Sequence, residues 1–165
     1  MASKALNQMI FDAAWGELDF LLVDLPPGTG DVQLSLAQLV VLEGAVIITT
    51  PQSVALFDAE RAIDMFAKVN LPILGIIENM SEFICPNCGH HAHIFSSGGG
   101  KSISEALDVP LLGQVPLSQK IMESGERGFP FTAIDKSGDD VSEEIKSILG
   151  AYDQIVANLE KALKE

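Results

Sequence analysis

Four apolar residues, Phe20-Leu21-Leu22-Val23, run into a carboxylate, Asp24, and then into Leu25-Pro26-Pro27-Gly28-Thr29-Gly30-Asp31. This stretch constrains the chain more than any other. An uninterrupted apolar run of this length, bounded by turn residues, reads as a strand buried on both faces of a parallel sheet. Asp24 then falls at the carboxyl end of the strand, the edge where doubly wound sheets bind ligands. Two readings of Asp24 fit the pattern. A strand-tip acid before a glycine loop suits the carboxylate that holds Mg²⁺ in a nucleotide site. The same acid also suits a plain turn or helix cap.

Alternation follows along the chain. Leu6, Met9, Ile10 and Ala13 recur at helical spacing and Trp15-Gly16-Glu17 ends that helix, before a first strand over Asp19–Val23. Asp31 is placed to cap a helix over Val32–Val41. A second strand spans Ala45–Thr50 and stops at Pro51, and Ser53 caps a helix over Val54–Val69 with Ala55, Phe57, Ala62, Met65 and Phe66 inward. A third strand spans Ile73–Glu78, a helix Lys101–Leu107, a short strand Leu111–Gln114 and a short helix Leu117–Ser124. Gly125–Gly138 reads as irregular, and residues 141–163 as a long amphipathic terminal helix. The alternation predicts an α/β fold, a mainly parallel sheet flanked by helices, as one domain over residues 1–165.

Residues 79–100 break the pattern. They hold both cysteines, all three histidines and a glycine run, and read as a metal-binding loop. Cys85-Pro86-Asn87-Cys88-Gly89 is a knuckle that puts two thiolates on one turn, a spacing shared by zinc and iron–sulfur centres. One pair supplies two of the four ligands such a centre needs. His90, His91 and His93 are able to complete a mononuclear zinc site. Two chains pairing their knuckles complete a Cys₄ site instead.

Four stretches in order resemble the Mrp-type iron–sulfur cluster carriers. These are P-loop ATPases related to the nitrogenase iron protein and the septum-site ATPases. The stretches are Leu21–Asp31, then Thr49-Thr50-Pro51-Gln52, then Glu78-Asn79-Met80-Ser81 with the knuckle, then Leu112–Leu117. The resemblance implies an ATP-dependent carrier that holds a [4Fe–4S] cluster between two subunits, a homodimer through the knuckle, and passes it to apo iron–sulfur proteins. By the same resemblance Cys85 and Cys88 hold the cluster and Asp24 places Mg²⁺. Gly28, Gly30 and Asp31 respond to the γ-phosphate, Asn79 meets the adenine edge and Pro116 walls the base. Zinc is a possible substitute metal. In the family a glycine run follows the knuckle without cradling phosphate. Here Ser96-Ser97-Gly98-Gly99-Gly100-Lys101-Ser102 has Phe95 where G-x₄-G-K-[ST] needs glycine. The family's P-loop lies N-terminal to Met1, so the resemblance implies an N-terminally truncated fold. It also puts the P-loop strand between Asp19–Val23 and Ala45–Thr50. These two must then pair directly or leave a gap.

The bulk numbers exclude other classes. Ten Lys and Arg against 23 Asp and Glu give a formal charge of −13, which argues against nucleic acid and anionic membranes as partners. No apolar run reaches spanning length and no signal pattern opens the chain, so it reads as cytoplasmic. Two alternatives stay open: a zinc-binding non-catalytic module, and an ATPase of the cell-division or partitioning type. The latter commonly uses a basic membrane-targeting helix, and the terminal helix here has no basic face.

Overall fold

The computed structural model describes residues 2–26, 28, 30–134 and 142–164. Its elements are α1 (Ala2–Phe11), α2 (Asp31–Leu39), β1 (Ala45–Thr49), α3 (Ser53–Lys68) and β2 (Ile73–Ile84). They continue with β3 (His91–Ala92), α4 (Gly99–Leu107), β4 (Leu111–Leu117), α5 (Gln119–Glu126), a 3-10 turn (Phe131–Ala133) and α6 (Glu143–Ala162). The start of the terminal helix at Val141 and part of the irregular stretch before it lie outside the described residues.

β2 is the centre of the sheet. β1 pairs parallel along one side and β4 parallel along the other, and β3 pairs antiparallel with the far end of β2. Phe83 pairs with both Leu117 and Ala92. β3 therefore lies on the side of β2 that β1 occupies lower down. The sheet is covered on both faces, as parallel sheets require. On one face Ile47 and Ile76 meet Ala59, Ile63, Met65 and Phe66 of α3 and Ile103 of α4. On the other, Leu112 and Val115 meet Ile155 of α6, with Tyr152 and Leu159 packed beside them. Ile148 and Leu149 of α6 close a third cluster around Phe131. The α/β architecture with a mainly parallel sheet agrees with the sequence pattern.

The first predicted strand does not form. Among the described residues 12–26 there is no strand, and Phe20 and Leu22 are 63% and 85% exposed. A strand buried on both faces needs neighbours for its backbone and cover for its side chains. Asp19–Val23 does not pair with β1, whose second edge carries no strand among the described residues. Only Leu25 reaches the core. Ile48 on β1, at 66% exposure, and Phe57 and Val54 on α3 are left open too. Phe57 is thus corrected from inner face to surface, and Ala59 and Ile63 take its place.

Smaller corrections concern element ends. Asp31 and Ser53 are the first residues of their helices, and Gly30 and Gln52 are the N-caps, without a side-chain cap bond. The loop predicted from Asn79 is shorter, because β2 continues to Ile84 and α4 begins at Gly99. β4 runs on to Leu117, which removes that residue from α5.

Candidate functional site

The knuckle sits at the tip of a hairpin. Phe83 and Ile84 of β2 pair with Ala92 and His91 of β3. The Cys85 N–H donates to the His90 carbonyl at 3.0 Å, and the Gly89 N–H donates to the Cys85 carbonyl at 2.9 Å. Gly89 closes the turn at φ +67, a conformation that favours glycine. Cys85 is half-buried, Cys88 is exposed, and both are free thiols. The backbone N–H of Asn87, then that of Cys88, then the Cys88 side chain hold the Cys85 thiol below its usual 9.0, against a smaller opposing effect of burial. Hydrogen bonds to the anion favour the anion, so this turn favours a thiolate, the form that binds metal.

Two of the three histidines have other partners. His91 Nδ1 lies 3.0 Å from Glu82 Oε2, and His93 Nδ1 lies 3.3 Å from the Ser81 carbonyl oxygen. Among the described residues no group of three or more His, Cys, Asp and Glu side chains is poised to hold one metal ion. The knuckle therefore offers two thiols on one turn.

The predicted nucleotide residues fall into two groups. Asp24, Gly28 and Gly30 lie on one exposed loop that ends at Asp31, the first residue of α2, with Pro27 and Thr29 outside the described residues. Gly28 takes φ +98. Gln33 of α2, 4% exposed, pins this loop: its Nε2 donates to the Pro26 carbonyl at 2.7 Å and to the Gly28 carbonyl at 2.9 Å. Sequence reading missed Gln33. Its signal was an amide one position from the apolar stripe of α2. The strand that was to aim Asp24 is absent, so the structure places Asp24 in exposed coil.

Asn79 and Pro116 form the second group, on neighbouring strands. Asn79 Oδ1 accepts from the Met80 N–H at 2.9 Å, the local turn bond that competes with a role at a base. Pro116 is buried and lines a cleft of about 270 Å³ with Glu78, Ser81, His93, Gln114 and Ala151. None of the described residues of Asp24–Asp31 lines this cleft.

Glu78 is the other residue sequence reading passed over. It is fully buried, and its Oε2 accepts from the Gly100 N–H at 2.5 Å while its Oε1 accepts from Gln114 Nε2 at 2.5 Å. This explains the last two glycines of the run. A Cβ on Gly100 would lie 2.9 Å from Glu78 Cβ, and one on Gly99 would lie 2.8 Å from the Pro51 carbonyl oxygen. The first turn of α4 is wedged between the two strand ends, with a carboxylate already where a phosphate would have to sit. Glu78 Oε2 already takes the Gly100 N–H that a bound phosphate would need.

The family described as NUBPL iron-transfer P-loop NTPase, of the ParA group, matches residues 1–153. The iron–sulfur cluster carrier protein of Salmonella typhimurium is 54% identical over 130 residues, covering 79% of this chain and 35% of the relative. The mouse iron–sulfur cluster transfer protein NUBPL is 43% identical over 162 residues, covering 98% and 50%. The chain thus spans a third to a half of the length of these relatives. A nucleotide-binding protein from Archaeoglobus fulgidus, solved with ADP, aligns at TM-score 0.69 and 36% identity over 76% of this chain and 52% of that one. The cell-division ATPase MinD of Pyrococcus furiosus aligns at TM-score 0.62 and 19% identity over 97% and 57%, a likeness of fold.

Proposed function

Because this chain belongs to the NUBPL iron-transfer P-loop NTPase family, we propose that it is the cluster-holding portion of an ATP-dependent iron–sulfur carrier. Two chains bring their knuckles together, and Cys85 and Cys88 from each hold one [4Fe–4S] cluster for delivery to apoproteins in the cytoplasm. One observation carries the reading. A two-thiol turn that favours the thiolate stands at a hairpin tip, and no further ligand in the described chain is placed to complete it. A second copy completes the set with the fewest assumptions.

Nucleotide handling is the other half of this reading. Asp24 would hold the Mg²⁺ that offsets phosphate charge, and Gly28, Gly30 and Asp31 would border the γ-phosphate. Asn79 and Pro116 border the base. The Gln33 bonds support the loop assignment, since they hold Pro26 and Gly28 from below and leave Asp24 and Asp31 exposed.

The test is anaerobic reconstitution with iron and sulfide, followed by metal, sulfide and mass analysis. The expected product is one four-iron cluster per two chains, lost in the Cys85→Ser, Cys88→Ser double variant. Full occupancy on a monomer, or equal occupancy in the double variant, overturns the reading. Stoichiometric zinc without sulfide would favour a zinc module instead.

A further inference from the structure

β2 serves two structures in succession. Residues 73–79 lie within the parallel sheet, and Phe83 and Ile84 carry the cysteine hairpin. Between them the pairing with β4 jumps from Asn79↔Val115 to Phe83↔Leu117. Met80 sits at the jump with φ 55, a left-handed conformation that a non-glycine residue keeps only when its surroundings impose it. Something next to Met80 has to hold the strand on each side of the break.

Glu78 is placed to do so. It is the one charged side chain among the buried described residues. Its two carboxylate oxygens take one donor from α4 and one from β4. An apolar residue at this inward position would fill the space without a desolvation cost. It would not, however, tie three elements together two residues before the break. Gly100 allows the approach, because any side chain there would collide with Glu78. Beyond the break the side-chain ties lie nearer the surface, among them the 3.0 Å approach of His91 Nδ1 to Glu82 Oε2. Ser81 Oγ donates to the Val115 carbonyl at 3.3 Å, His93 meets the Ser81 carbonyl, and the cleft beside Pro116 leaves space under the hairpin.

We infer that Glu78 is the positioning residue of the cysteine hairpin: its carboxylate clamps α4 and β4 to β2 and so fixes the direction in which Cys85 and Cys88 leave the sheet. The inference rests on the carrier reading only in what that direction is for, which is the meeting of two knuckles around one cluster. Glu78 acts on the cysteines through the strand and not by contact with the cluster.

The experiment is amide hydrogen exchange by mass spectrometry on the full chain, beside the anaerobic cluster assay. Glu78→Ala is expected to speed exchange across residues 81–92 by about tenfold, the loss of a charged hydrogen bond, with residues 143–162 unchanged. Cluster occupancy is expected to fall with it. Glu78→Gln is expected to stay near wild type. Its carbonyl can accept from Gly100, and its NH₂ can face a turned Gln114 amide. Gln114→Ala, at an exposed position, removes one donor and is expected to give a smaller, equally local rise. Unchanged exchange over 81–92 in both Glu78→Ala and Gln114→Ala overturns the inference. So does a rise spread evenly over the chain in both, which would make Glu78 a general core support. If Glu78→Ala does not fold, Gln114→Ala decides by the same criteria. A wild-type chain that takes up no cluster refutes the carrier reading, and the exchange comparison still decides the role of Glu78.

Discussion

Two glycine-to-alanine substitutions are expected to move stability in opposite directions. Both positions lie in helices, where alanine is favoured over glycine by about 1 kcal/mol. At Gly150, exposed in α6, a new Cβ has nothing within 4 Å. Gly150→Ala therefore keeps the propensity gain, about 0.5–1 kcal/mol. At Gly100 the new Cβ lies 2.9 Å from Glu78 Cβ, 3.0 Å from Oε2 and 3.3 Å from Cδ. Overpacking costs about 1–3 kcal/mol. Displacing the carboxylate from the Gly100 N–H costs about 1.5–3 kcal/mol more, the range for hydrogen bonds to charged groups. Net of the helix gain, Gly100→Ala should destabilise by about 1.5–5 kcal/mol. With a urea slope of about 2 kcal/mol per molar, the midpoint falls by about 0.8–2.5 M, while Gly150→Ala raises it by about 0.3–0.5 M. The assay is equilibrium urea unfolding followed by circular dichroism, read as midpoints at a common slope. Midpoints that shift in the same direction by similar amounts would refute the claim that Gly100 is required by the approach of Glu78.

Two further outcomes test the site. Cys85 should alkylate with iodoacetamide at lower pH in the folded chain than in urea, because the Asn87 and Cys88 N–H groups stabilise its thiolate and hold its pKa below 9.0; coincident pH profiles, resolved by peptide mass mapping, would refute this. The chain alone should hydrolyse ATP no faster than the buffer control, since the sequence has no G-x₄-G-K-[ST], the first turn of α4 faces a carboxylate, and a base contact at Asn79 is equal in ground and transition states; turnover abolished by Lys101→Ala would show the glycine run to be a phosphate site.

What could be read in advance was whatever local pattern decides. β1, α3 and α6 were legible because an apolar run or a 3.6-residue period fixes which side faces the core. The knuckle was legible because its chemistry lies within five residues. Phe20–Val23 misled because burial of a strand depends on neighbours, and nothing in those residues says whether a neighbour pairs with them. The same lack of a neighbour exposes Phe57, whose helical position pointed inward. β2 outran its predicted end because Ser81 and Glu82 are ordinary polar residues, and pairing with β3 and β4 keeps them extended. Glu78 did carry a signal. Counting alternate residues from Ile76 puts it on the α4-facing side of the strand, where an acid has to find a partner.

The continuity of β2 through the break at Met80 makes the hairpin a lever arm. Five residues of extended chain separate Met80 from Cys85, roughly 17 Å. A tilt of about 10° at the break would carry the thiol some 3 Å, which is roughly the length of a whole metal–sulfur bond. Metal–ligand distances tolerate about 0.2 Å, which on this arm corresponds to a rotation of roughly 1°. On the carrier reading proposed above, swinging the hairpin by a few degrees would therefore be enough to release a cluster shared by two knuckles, with no rearrangement of the knuckle itself.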